Sequence, residues 1–246
     1  MAFDATPQNR ISNECLVCPV NQCLGRSGGG CSTRTGFETL ASRRAVMPGS
    51  GALYHVGDSL RSLYSVRAGC LKAYTVDAEG NERIRGFYLP GDAIGLDAIG
   101  EGRCMSTVVA VAPSQVCVAP LDELKPLMLR QPLLATRMIE QTSRELALAL
   151  SLSGDFTADQ RLAAFLLYMR QRLGGGALRL PMSQRDIGNY LRLATETVCR
   201  TLKSFGRKNW IAPGERLIRI IDEYALQRLA APVGLLHDHT DWAQAA

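Results

Sequence analysis

At 246 residues, with 46% hydrophobic and 21% charged side chains, the chain is long enough for two cores and has an ordinary globular composition. No apolar run approaches the roughly 20 residues of a membrane-spanning helix, so no membrane association is expected. Residues 1–10 have neither a basic start nor an apolar centre, so no export signal is read and a cytoplasmic location follows. Structural disulfides are disfavoured there, which leaves eight cysteines to explain. Clustered cysteines in a reducing compartment point to metal ligation. The net charge of +5 is uneven: residues 155–228 hold 13 Lys and Arg against 7 Asp and Glu, while the rest of the chain sums to −1. A basic block at one end of a near-neutral protein is the footprint of nucleic-acid binding, although solvated faces also look like this.

In chain order, residues 1–36 are polar and Gly-rich and contain Cys15, Cys18, Cys23 and Cys31. Residues 37–121 alternate short β-prone runs (52–56, 63–67, 70–76, 82–88 and 107–120) with turn signals at Gly57-Asp58, Gly80-Asn81 and Pro90-Gly91-Asp92. That rhythm predicts an all-β sandwich or barrel. Residues 122–154 read as a linking region built on a long helix, starting near 121 or 130 and ending at Ser153-Gly154-Asp155. Ile139, Thr142, Leu146, Ala149 and Ser153 recur at spacings of three and four, with Leu150 widening the stripe. Such a stripe either packs on its own domain or seals a symmetric homodimer. Residues 155–230 predict a helix over 158–173, a short strand over 178–180, two close helices and a hairpin within 210–221. A tail over 231–246 carries His237, Asp238 and His239, too little context for a metal site.

The two close helices read SQRDIGNYLRLATETVCRTLK from Ser183 to Lys203. Ser183 is a predicted N-cap with Asp186 three residues on. Ile187, Leu191, Leu193, Val198 and Leu202 fall where two helices crossed over a tight turn bury side chains. Thr195, Glu196, Cys199, Arg200 and Lys203 are left facing out on the second helix. Glu196 and Arg200 share a face, which permits a plain i,i+4 salt bridge. In a helix-turn-helix the same pair can read bases, the carboxylate accepting from a cytosine amino group and the guanidinium forking onto guanine O6 and N7. Duplex DNA is therefore the expected partner.

RLAAFLLYM, DIGNYL and ETVCR resemble the CRP/FNR family of bacterial regulators, and SLYSVRAGCLKAYT, GFYLPGD and GLDAIG resemble its FNR branch, over about residues 15–229. The resemblance implies an α+β fold: an N-terminal β-roll sensor, a long dimerisation helix and a C-terminal winged helix-turn-helix. It implies a transcription regulator and not an enzyme, acting on palindromic TTGAT-type sites with half-sites about one helical turn apart. In activators of that family, loops matching the region around 77–83 and Gly86 touch RNA polymerase. Cys199 stands where that branch usually has Ser, and a thiol donates weakly, so looser discrimination is expected at the outer base pair.

FNR-type sensors hold a [4Fe–4S] cluster on three N-terminal cysteines and one remote cysteine, and Cys117 in QVCVAP aligns with the remote one. Soft thiolate donors suit iron–sulfur clusters. The resemblance thus implies Cys15, Cys18, Cys23 and Cys117 as ligands, with Cys31 the rival of Cys23 because C-x4-C replaces the usual C-x5-C. Four-thiolate zinc on Cys15, Cys18, Cys23 and Cys31 is the alternative. Cyclic-nucleotide members grip phosphate with an Arg-Ser pair, where this chain has Cys104 and Met105, with Arg103 one position early. Cys104 is expected close to the β-roll surface, and His55 in a strand.

Overall fold

The computed structural model describes residues 43–130, 132–151, 154–174, 177–214 and 217–233. Cys15, Cys18, Cys23, Cys31, Ser153, His237 and His239 lie outside the described residues. The chain divides between Arg144 and Glu145 into two compact units.

The first unit is built on eight antiparallel strands in two sheets: β1 (Arg43–Met47), β2 (Ala52–Tyr54), β3 (Ser62–Ala68), β4 (Leu71–Val76), β5 (Glu82–Tyr88), β6 (Ala93–Ile94), β7 (Thr107–Ala110) and β8 (Ser114–Pro120). One sheet runs β1-β8-β3-β6 and the other β2-β7-β4-β5. The antiparallel β architecture expected from the turn rhythm is present. Val66, Leu71, Ile94, Val108 and Val116 are fully buried in its core, and Tyr54 of one sheet meets Tyr64 of the other at 6.0 Å between ring centroids. The β3–β4 turn needs glycine. Gly69 has φ 90°, and a Cβ there would collide with Ser114 Oγ and stand 2.6 Å from the Pro113 carbonyl oxygen. Ser114 Oγ accepts from the Cys70 N–H at 3.0 Å, so the turn is held from the facing strand.

Four local readings are corrected. The 107–120 run is two strands, because residues 111–113 turn between them. The long helix is two, α1 (Leu121–Arg130) and α2 (Pro132–Ser151), with Pro132 at the first helical position, where its missing N–H costs nothing. Cys104 is buried, with 3% of its surface exposed, and burial beside the Asp58 and Asp97 charges pushes its thiol up to about 11. His55 follows β2 in a turn, exposed, with its N–H donating to the Asp58 carboxylate at 2.8 Å.

The second unit contains α3 (Ala158–Leu173), β9 (Leu178–Arg179), α4 (Gln184–Leu191), α5 (Thr195–Arg207), β10 (Ile211–Pro213), β11 (Leu217–Ile220) and α6 (Glu223–Ala230), its strands ordered β10-β11-β9. Capping boxes start two helices: Thr157 with Gln160 begins α3, and Ser183 with Asp186 begins α4. Phe165, Leu166, Leu191, Phe205, Ile211 and Leu226 form the buried interior. Between α4 and α5 the chain turns within three residues. Gly188 allows it, since a Cβ there would lie 2.8 Å from the Leu193 carbonyl oxygen. Arg192 caps α4 at φ 57°, ψ 44°, the left-handed region, which costs a residue with a Cβ about 1–2 kcal/mol.

One side chain ties these pieces together. The Arg161 guanidinium donates from Nε to the Phe156 carbonyl, from Nη1 to the Leu191 carbonyl and from Nη2 to the Gly154 carbonyl, each at 3.1 Å. A second tie joins α5 to α3, where Thr201 Oγ1 donates to Asp159 at 3.0 Å. A lysine ammonium cannot fork across three carbonyls. Arg161→Lys is therefore expected to destabilise this unit by on the order of 2 kcal/mol. A urea midpoint, followed by circular dichroism, that matches wild type would show that the fork is dispensable.

Candidate nucleic-acid interface

Helix α5 is strongly two-faced. Val198, Thr201, Leu202 and Phe205 are buried against the unit, with Phe205 stacked at 5.5 Å on Trp210. The opposite face forms an open groove lined by Thr195, Glu196, Cys199, Arg200, Lys203, Gly206 and Arg207. All five residues proposed from sequence as base or backbone contacts therefore share one surface, and Gly206 and Arg207 extend it. Glu196, Arg200, Lys203 and Arg207 are exposed, while Thr195 and Cys199 are half-buried.

The electrostatics of this face bear on the two readings of Glu196 and Arg200. Among the described residues neither has an ion-pair partner within 4.0 Å, so the i,i+4 bridge is not formed. Lys203 and Arg207 likewise lack a carboxylate partner among the described residues. The groove thus presents three uncompensated cations and one carboxylate. That is a surface able to bind a polyanion and to distinguish base edges.

Cys199 behaves differently from its neighbours. Its thiol donates to the Gln184 side-chain carbonyl, Oε1, at 2.6 Å. Gln184 is the first residue of α4, 15 positions away in sequence, and sequence reading did not single it out. No local signal connects the two residues, because their contact is made by the crossing of two helices.

The other expected sites fall in separate places. Cys117, outside any disulfide, lies on β8 with 8% of its surface exposed. It points to the sheet face opposite Val116, because successive strand residues alternate. It is paired with Ser65 of β3, and Ser65 with Ala93 of β6, so the three residues form one row across the sheet. The Ala93 carbonyl at the end of that row accepts from Gln141 Nε2 of α2 at 3.2 Å. On α2, Ile139, Leu146 and Leu150 are 69%, 59% and 65% exposed, and Thr142 and Ala149 are exposed between them. On the β4–β5 hairpin the Asp77 carboxylate accepts from the Asn81 backbone N–H at 2.8 Å and from Arg83 Nε at 3.1 Å. The Asn81 N–H is the main cause holding the Asp77 carboxyl below its ordinary range. Among the described residues no cluster of three metal-ligating side chains occurs, and no helix is long and apolar enough to cross a membrane.

Known proteins place this arrangement. Residues 160–229 match the Crp-like helix-turn-helix domain and residues 46–131 the cyclic nucleotide-binding domain. The transcriptional regulatory protein btr of Bordetella pertussis is 38% identical over 201 residues, covering 78% of this chain and 83% of that protein. The fumarate and nitrate reduction regulatory protein of Escherichia coli is 36% identical over 203 residues, covering 79% and 81%. Among solved structures, FixK2 from Bradyrhizobium japonicum superposes with a TM-score of 0.70 at 29% identity, over 76% of this chain and 96% of its own. An uncompensated basic reading helix, an antiparallel β sensor and these relatives lead to one conclusion: the chain belongs to the CRP/FNR family of DNA-binding transcription regulators, in its FNR-type branch.

Proposed function

We propose that this regulator senses oxygen through a [4Fe–4S] cluster and, without oxygen, binds palindromic TTGAT-type sites as a homodimer. The observation that carries this reading is the position of Cys117. It is a thiol on the sheet face away from the Val116 core, two strands from a backbone carbonyl held by α2. A cysteine there fits a soft-metal ligand that must communicate with a helix.

Cys15, Cys18 and Cys23 supply the remaining thiolates in this proposal, with Cys31 the rival third ligand. When bound, the cluster supplies the oxygen-reactive centre. The chain's own residues do the rest. Cys117 anchors residues 1–36 to β8, the Ser65–Ala93 row carries that anchor to β6, and Gln141 passes it to α2. Ile139, Thr142, Leu146, Ala149, Leu150 and Ser153 then seal against the same residues of a second copy. The dimer must be favoured differently with and without the cluster, since a ligand shifts only states it binds unequally. On DNA, Arg200 forks to guanine and Glu196 accepts from cytosine, Thr195 and Lys203 hold the strand, and Cys199 contributes weakly because its thiol is engaged by Gln184. The hairpin stiffened by Asp77 is the proposed contact for RNA polymerase.

A second reading has its own support, the match of residues 46–131 to the cyclic nucleotide-binding domain. Under it the effector is a small molecule and the N-terminal cysteines hold zinc or nothing. Arg103, the cation nearest to the expected phosphate-gripping pair, is engaged locally, donating to the Gly57 carbonyl at 3.2 Å.

Anaerobically purified wild type is expected to show a broad visible absorption band that Cys117→Ser loses, together with oxygen-dependent DNA binding. A colourless protein containing zinc rejects the cluster. Arg200→Ala is expected to keep the band but lose about 1–3 kcal/mol of preference for the palindromic site. Equal preference before and after the substitution removes Arg200 from base reading. A binding-site selection on wild type should show relaxed choice at the outer half-site position, and Cys199→Ser should sharpen it. Full preference in wild type refutes the weak-thiol argument.

A further inference from the structure

The three-residue connection between α4 and α5 contains a cation in an unfavourable place. Arg192 has φ 57°, a region that L side chains rarely adopt and that glycine occupies freely. Nothing in the local structure requires its side chain. The usual reason for an arginine at a helix C-terminus is to hydrogen-bond the last carbonyls, yet here three of the last four acceptors are engaged by other donors. The Arg192 N–H itself serves the Asn189 and Gly188 carbonyls, the Leu193 N–H serves Gly188 at 2.8 Å, and Arg161 takes the Leu191 carbonyl. The Arg192 side chain is exposed and, among the described residues, has no hydrogen-bond or ion-pair partner.

Its position has a use on DNA. In a helix-turn-helix the first helix crosses the sugar–phosphate backbone and the start of the second enters the major groove. Arg192 lies where the two meet, three residues before Thr195. A charge at that point stands at the rim of the groove, beside phosphates and away from base edges. We propose that Arg192 is a phosphate-contacting residue, retained at a strained backbone position because its guanidinium neutralises one phosphate beside the reading helix. The inference rests on the helix-turn-helix reading duplex DNA, and it adds a sequence-independent contact to the base readers. The competing explanation is that the cation merely complements the negative end of the α4 dipole.

The two explanations separate in a salt titration of the full-length protein. Binding to a duplex carrying the TTGAT palindrome and to a scrambled duplex of equal length is followed by fluorescence anisotropy across a range of salt concentrations. Arg192→Gly, which removes the charge and relaxes the backbone, is expected to weaken binding to both duplexes several-fold by the same factor. The slope of log K against log salt should become shallower by about two for the dimer, one phosphate contact being lost per protomer. Arg192→Lys keeps the charge and should restore both the affinity and the slope. An unchanged slope in Arg192→Gly, with only its melting temperature lowered, assigns the residue to the dipole and overturns the proposal. Failure of Arg192→Lys to restore the slope overturns it as well. Arg200→Ala in the same titrations should narrow the difference between duplexes roughly 10- to 100-fold at an otherwise similar salt response. Wild type that binds neither duplex brings down the DNA reading itself, whereas wild type that prefers the palindrome with a slope equal to Arg192→Gly removes Arg192 alone.

Discussion

The DNA-reading surface depends on one guanidinium. Arg161 donates to the backbone carbonyls of Gly154, Phe156 and Leu191 and so joins two stretches of chain far apart in sequence. Residues 154–156 lead into α3, and Leu191 is the last residue of α4. Fixing both fixes the turn at 192–194, and hence the direction in which α5 begins. Thr201 to Asp159 secures the same helix further along. Glu196 and Arg200 lie between these two ties, so their backbone positions are set in the free protein while their exposed side chains keep their rotamer freedom. Only arginine has donors spread widely enough in one plane to span these acceptors.

The proposed sensing role sets the opposite requirement for the first unit, because a switch needs a link that yields without unfolding the sheet. Across β8, β3 and β6 the row Cys117–Ser65–Ala93 belongs to paired antiparallel strands and is stiff. Its junction with α2 includes a side-chain hydrogen bond from Gln141 to the Ala93 carbonyl. A bond of this type contributes about 1 kcal/mol net, while functional coupling between sites usually amounts to about 1–3 kcal/mol. Gln141 alone sits at the lower edge of that range. The remainder must come from the packing of Leu134 and Met138, which are buried in the same core as Val66 and Val116. The proposed signal is therefore a shift of a packed helix, with the hydrogen bond setting its direction.

What was legible in the sequence was local, and what was hidden was not. β5 and α4 are found where turn residues and caps put them, because Gly80-Asn81 and Ser183-Asp186 act on their immediate neighbours. β1 was missed: RRAVM has no alternation to read, and its place is set by pairing with β8 some seventy residues later. The break at residues 111–113 was passed over although Pro113-Ser114-Gln115 interrupts the apolar run there. The five α5 residues were legible because helical periodicity alone gathers them on one face. Gln184 was not, since its bond to Cys199 exists only after two helices cross. Arg192 was not either, because an arginine at positive φ announces nothing in a sequence, whereas a glycine there would have marked the turn.

That Glu196 and Arg200 do not pair with each other costs α5 little. An exposed i,i+4 ion pair is worth about 0.2–0.5 kcal/mol, and a bidentate arginine–guanine contact about 1–3 kcal/mol of discrimination. A bridge formed in solution would therefore open on the correct base pairs at little cost. On the wrong ones both charges would be stranded in the groove without partners, which is the larger penalty. In the proposed reading, the selectivity of this face thus comes from what is left unpaired on incorrect DNA. Cys199 fits the same logic. A neutral thiol already bonded to Gln184 loses little against an incorrect base, so it has little with which to discriminate.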